Sequence, residues 1–240
     1  MKIAIFNTQT FSRANGEFAD RAIRDAREKM YIKLGEFVNL ESLNNVLDVG
    51  VTADREMQSS NFFENRYPRS DRITALSDQD ASFLENVYSG LKFTRGNALD
   101  MPFEDDAFDL VFSNAVIEHA GSRENQTRFI SECFRVAKKY IFITTPNRLH
   151  PIEFHTVLPF IHLLPKNLHR KILRLLKMDF FASEENLNLL SKKELLNLAK
   201  IAIANINSSD SYFAPPPPPP KPQKHKKIFV FFLPFFFTPS

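Results

Sequence analysis

The sequence predicts an α/β fold, a doubly wound and mainly parallel sheet with an N-terminal helix and a helical cap after the fifth strand. Three observations predict it. Short apolar strands alternate with helical stretches from about residue 45 to residue 146, the pattern of right-handed βαβ units. The strands themselves are short and apolar, as suits a mainly parallel sheet covered on both sides. A chain of 240 residues, 43% of them hydrophobic, can also fill one sizeable core.

The elements follow in order. Residues 17–38 place Ala19, Ile23, Ala26, Met30, Leu34 and Phe37 three or four apart with charges between, an amphipathic helix. Strands are predicted at 45–50 (NVLDVG), 72–77 (RITALS), 91–96 (LKFTRG), 108–114 (FDLVFSN) and 140–146 (YIFITTP). Helical stretches fall at about 58–66, 79–88 and 123–138, the last with Phe129, Ile130, Cys133, Val136 and Ala137 on one face. This makes 45–146 the ligand-binding core of a single domain spanning 1–213, and such sheets bind ligands beyond the carboxyl ends of their strands. After Pro146, prolines and histidines break the chain into short helices. Residues 147–203 read as a cap over that end, with amphipathic pieces at 167–177 and 192–203. Residues 214–240 hold nine of the fifteen prolines and six of the twenty-five phenylalanines. Six consecutive prolines have no backbone donors, and Pro234 argues against central pairing of KIFVFFLPF. This tail is expected to be disordered, leaving the C-terminal sheet edge incomplete.

Composition narrows the function. A formal net charge of +3, dispersed along the chain, gives no basic face for nucleic acid, so the expected partner is a small molecule. The apolar run from Ile228 to Phe237 is too short to span a bilayer, and Ile3–Phe6 is too short for a signal-peptide core. A cytoplasmic protein is expected. Cys133, the sole cysteine, has no partner for an internal disulfide and sits among apolar helix neighbours as a core residue. Oligomeric state is left open.

The chemistry gathers at strand ends. VLDVGVTADRE (46–56) ends a strand in Asp48 and turns at Gly50, yet puts Thr52 and Asp54 where glycine-rich dinucleotide loops continue with glycine. A pyrophosphate needs open amides and no nearby carboxylate, so the loop counts against a nicotinamide dinucleotide. A cationic ligand tolerates Asp54. The next strand ends are followed by Ser77, Asp78 and Asp80, by GNALDMPF (96–103) and by SNAVIEH (113–119).

Over about residues 40–150 these segments resemble the class I S-adenosylmethionine-dependent methyltransferases, in particular the broad small-molecule group. Shared features are the D-x-G turn, the G-N-A-x-x-M-P-F segment, F-D-L-V opening the fourth strand and E-H at its exit. The resemblance implies a Rossmann-like sheet with S-adenosyl-L-methionine as cofactor. It implies that Asp48 and Gly50 border the methionine part, and that Asn97 and Ala98 meet the adenine edge. Asn114 and Ala115 would floor the methyl group. The acidic residue that grips the ribose in the family falls on Ser77, with Asp78 one place later. His119, with Glu118 beside it, is the expected catalytic pair, His119 taking a proton from the acceptor. Asn147, Glu153 and His155 are expected on the substrate side. No metal is expected, because HPIEFH (150–155) lacks the spacing of a helical zinc site and no cysteine assists. A non-catalytic S-adenosylmethionine-binding module is the alternative, and a nicotinamide-dependent reductase a distant third.

Overall fold

Strand character in the middle of the sheet follows from burial on both faces. The computed structural model describes residues 9–55, 60–151, 153, 155, 156, 158–209 and 226–232. Its sheet contains β1 (Val46–Val49), β2 (Ile73–Ser77), β3 (Lys92–Arg95), β4 (Phe108–Asn114), β5 (Ala137–Thr145) and β6 (Lys227–Phe232). They lie in the order β3-β2-β1-β4-β5-β6, all parallel. Chain direction across the sheet reverses between β1 and β4, so their carboxyl ends form the crevice where ligands of open α/β sheets bind.

Alternate residues of the central strands feed two cores, because side chains of a strand point to opposite faces. Val46, Ile73, Ala75, Leu110, Phe112 and Phe142 pack with Met30, Leu34 and Val38 from the region of α1 (Gln9–Phe37) and with Phe63 from α2 (Phe62–Arg66). On the other face Leu47, Val49, Val111, Ile141 and Ile143 meet Phe129, Ile130, Cys133 and Val136 of α4 (Arg123–Val136). Leu195, Leu198, Ala199 and Ala202 of α7 (Lys192–Ser209) complete that layer. The short α3 (Leu84–Val87) precedes β3.

Four expectations change. The N-terminal helix spans Gln9–Phe37 among the described residues, and Phe37 on it is exposed, stacked on Phe229 of β6 at 4.6 Å between ring centroids. Ala19 lies among residues whose side chains are not described. The amphipathic stretch 192–203 belongs to α7, which packs beside α4 against the sheet, because its apolar face matches the sheet core. The cap proper is α5 (Lys166–Leu175) and α6 (Asp179–Ala182) with their loops, built on Leu173, Phe181, Leu187 and Leu189. Finally, residues 227–232, assigned from composition to the loose tail, pair with β5 and complete the sheet edge. An edge position suits them, since Pro234 lies beyond the last paired residue. The polyproline segment 215–220 lies outside the described residues.

Candidate functional site

At the exit of β1 the backbone itself decides which residue fits. Gly50 has φ +96°, and a Cβ there would lie 2.2 Å from Cγ2 of Val116, so only glycine lets this loop pass against the exit of β4. The loop is then tied down by Asn61, itself at φ 50°. Asn61 Oδ1 accepts from Thr52 N–H at 3.0 Å and its Nδ2 donates to the Thr52 carbonyl at 3.0 Å. Ser60 donates to the Asp54 carboxylate at 3.1 Å. Side-chain bonds thus hold a turn that glycines hold in dinucleotide loops.

Asp48 alternates with Leu47 and Val49 and points to the α1/α2 face, where Glu64 of α2 meets it. Both are buried, Asp48 6% and Glu64 2% exposed. Burial first, and then the neighbouring Glu64, push the Asp48 carboxyl well above its ordinary range. Glu64 is raised too, chiefly by burial, and Arg27 of α1 opposes both shifts. Among the described residues neither oxygen of Glu64 has a hydrogen-bond partner. Both shifts favour holding a proton, the usual resolution for like charges in one site.

The other expected cofactor residues line the same edge. Ser77 is buried and its Oγ accepts from Gln79 N–H at 3.2 Å, while Arg95 donates to the Asp78 carbonyl at 3.1 Å. Asn97 Oδ1 accepts from Leu99 N–H at 3.0 Å, shaping the turn that buries Ala98. This loop is clamped from α4: Glu132 accepts from Met101 N–H at 2.7 Å, and Arg135 donates to the carbonyls of Met101 and Phe103 at 2.9 and 2.7 Å. Asn114 Oδ1 accepts from Thr144 at 2.6 Å, and Ala115 takes φ 57° as the chain leaves β4. The structure therefore brings Asp48, Gly50, Ser77, Asp78, Asn97, Ala98, Asn114 and Ala115 to the strand ends of one crevice. Sequence reasoning missed Asn61, Glu64, Glu132 and Arg135, which act across the fold and carry no spacing signal.

A second polar group is buried where β4, β5 and the cap meet. Glu118 and His119 occupy a single 3-10 turn, Ile117–His119, after β4. Glu118 is 0%, His119 3% and His155 6% exposed. Thr145 at the end of β5 donates to Glu118 Oε2 at 2.9 Å. His119 Nδ1 lies 2.6 Å from the Asn186 carbonyl, which can only accept, so Nδ1 carries the proton. Its ring meets that of His155 edge-on at 4.9 Å. Glu153 faces its own turn: its carboxylate takes the N–H and Nδ1 of His155 and the N–H and hydroxyl of Thr156, all at 2.6–2.7 Å. It orients His155 and presents no oxygen to a substrate. Asn147 bridges to Leu190 and accepts from Leu149 N–H at 3.0 Å, a turn-forming role.

The electrostatics follow from burial and pairing. Burial raises Glu118 to about 7, with His155 opposing the rise. Burial also pulls His119 down to about 3, with His155 adding to the effect. Glu153 falls to about 2 against the cost of burial, because His155 and the hydrogen bonds favour its charge. His155 rises despite its own desolvation, through Glu153. A histidine as weakly basic as His119 is neutral at pH 7 and accepts a proton poorly. The cap is locked over this group by Asn188, whose N–H donates to the Glu118 carbonyl at 2.7 Å and whose Nδ2 donates to the Gly121 carbonyl at 2.7 Å.

Comparison with known proteins gives three findings. Residues 47–142 match the family described as "Methyltransferase domain". Ajmaline N-methyltransferase of Rauvolfia serpentina is 39% identical over 72 residues, 30% of this chain and 24% of that protein. A probable S-adenosylmethionine-dependent methyltransferase of Mycolicibacterium smegmatis is 36% identical over 83 residues, 32% of this chain and 31% of that protein. The chain thus spans about a quarter to a third of the length of the curated relatives it matches. Among solved structures, a putative sarcosine dimethylglycine methyltransferase from Galdieria sulphuraria shares the fold, with TM-score 0.52 and 18% identity over 83% of this chain and 79% of that one.

Proposed function

We propose that this chain, whose residues 47–142 match the methyltransferase-domain family, is a class I S-adenosylmethionine-dependent methyltransferase that binds S-adenosyl-L-methionine across the ends of β1, β2 and β4. There it transfers the methyl group to a small molecule held beneath the cap, in the cytoplasm. The observation that supports the reading is the buried Asp48–Glu64 pair. It presents carboxyl oxygens, beside a glycine turn with no side chain in the way, where a phosphate site would present donors, and so suits an ammonium group rather than a phosphate. The residues fit the cofactor. Asp48 and Gly50 would face its methionine part, Asn97 and Ala98 the adenine edge, Ser77 and Asp78 the ribose, Asn114 and Ala115 the methyl.

The bound cofactor supplies an activated methyl on a sulfonium. The protein's part is then largely placement, which can lower a barrier by several kcal/mol or more. Gly50 and Val116 bring the β1 and β4 exits into contact, the Arg135–Glu132 clamp fixes the loop after β3, and Asn188 fixes the cap. His119, neutral and anchored to Asn186, shapes this floor more than it removes protons.

Calorimetry with S-adenosylhomocysteine tests the proposal. Asp48→Ala is expected to weaken binding by ~1.5–3 kcal/mol, the worth of a hydrogen bond to a charged group. Unchanged affinity in that variant, or no binding by the parent chain, sinks the reading. The Thr52 amide already engaged by Asn61 favours a second reading, a binding module without turnover. Label transfer from methyl-labelled S-adenosylmethionine into a cell extract separates the two, since a binding module retains affinity and transfers nothing.

A further inference from the structure

We propose that Glu118, His119 and His155 form a binding site for one divalent transition-metal cation of the zinc or cobalt kind. One ligand atom from each of the three lies within 4.8 Å of the others, in a buried space shared by the β4 exit and the cap. Glu118 Oε1 is fully buried and accepts no hydrogen bond among the described residues, although its companion Oε2 takes one from Thr145. Leaving such an oxygen unsatisfied costs free energy that a cation would recover.

The two imidazoles are held as metal-binding histidines are held. His119 gives its Nδ1 proton to the Asn186 carbonyl, and His155 gives its own to the Glu153 carboxylate, both at 2.6 Å. The lone pair of each ring is thereby assigned to Nε2, the arrangement by which outer partners fix the tautomer and orientation of ligating histidines. His155 Nε2 lies 3.9 Å from Glu118 Oε1. Across a tetrahedral ion with bonds of about 2.0–2.1 Å, ligand atoms stand roughly 3.3 Å apart, so closing onto an ion needs a contraction of about half an ångström along this edge.

Charge balances as well. The cluster contains two carboxylates, Glu118 and Glu153, and among the described residues no lysine or arginine forms an ion pair or hydrogen bond with either. A dication makes the sum zero. Two imidazoles with one carboxylate suit zinc, cobalt, iron or nickel, whereas calcium and magnesium prefer oxygen alone. Three protein ligands leave a coordination position open, as in catalytic rather than closed structural sites. The site escapes spacing rules because two ligands are adjacent in one 3-10 turn and the third arrives from the cap. It shares only His155 with the HPIEFH segment weighed from the sequence.

The test uses the full chain, stripped with a chelator and titrated with Co²⁺ alone, without S-adenosylmethionine, so that its outcome is independent of methyl transfer. One equivalent of cobalt is expected to develop visible absorption that Zn²⁺ then quenches by displacement. Glu153→Gln is expected to weaken cobalt binding 10- to 100-fold, the range for partners that orient a ligand. His155→Ala is expected to lose more than that, while His150→Ala, outside the cluster, binds as the parent does. Circular dichroism checks that each variant is folded. Absence of a one-equivalent cobalt spectrum in the folded parent overturns the proposal whatever the variants do, and so does a spectrum that persists in folded His155→Ala.

Discussion

Buried carboxylates sit at two neighbouring strand exits, and the protein treats Asp48 and Glu64 at one and Glu153 at the other in opposite ways. At the exit of β1, Asp48 and Glu64 face each other with Arg27 as the opposing cation, and burial drives both towards the neutral form. At the exit of β4, Glu153 is as deeply buried yet remains charged, because four donors from His155 and Thr156 converge on it. Equal burial therefore fixes neither charge state nor contribution to stability. The neighbours decide, since desolvation is common to both, while a histidine and four donors favour charge on Glu153 and a second carboxyl disfavours it on Asp48.

That contrast is sharpest if the two glutamates are removed in turn. Glu153→Ala strips four buried donors of their acceptor and is expected to destabilise the fold by about 3–5 kcal/mol in urea denaturation, as breaking a buried pair does. A loss below 1 kcal/mol would make the two groups equivalent. Next in size is Gly50→Ala, which tests whether backbone approach rather than the carboxyl pair shapes the β1 exit. Left-handed backbone and the contact with Val116 together predict a loss of about 2–3 kcal/mol.

Glu64→Gln should move stability the other way, by a gain of about 1–2 kcal/mol near pH 8. The sign follows from the raised pKa of the pair in the folded state. Its stabilising protonation is complete below the unfolded carboxyl range, about pH 4, and is lost as pH rises through the folded values. The amide has no such loss, so the gain should fade as melts are repeated from pH 8 towards pH 4. A gain independent of pH would show that like-charge coupling is not the cause. Smallest is the effect at Cys133, on the opposite face of the sheet, where burial pushes the thiol far up. Cys133→Ala should cost about 1 kcal/mol. In the native parent the thiol should stay silent to a disulfide reagent until urea unfolds the chain.

The parallel sheet and its ligand-binding edge were legible because five short apolar strands alternate with helical periods, whereas the strand order came only with the structure. Glu118 and His119 were legible as neighbours. Their companions were not, since Asn186, Thr145 and His155 reach them from β5 and the cap through single contacts that leave no period in the chain. Glu64 escaped notice for a related reason: a glutamate in a short helix reads as solvated, and only the packing of α2 against the sheet buries it. The final strand was misjudged because composition reports what a segment prefers alone, and an edge strand is decided by the neighbour it pairs with.

By itself, then, the sequence determined what is local and repeated: alternating strands and helices, the glycine turn after Asp48, the Glu118–His119 pair and a core cysteine. Tertiary structure alone decided which charges share a site, which histidine nitrogen bears the proton and whether the sheet gains a sixth strand. Periodicity is encoded within a few residues of chain. Desolvation and donor supply depend on groups brought together from distant elements, and these exist only once the layers have packed.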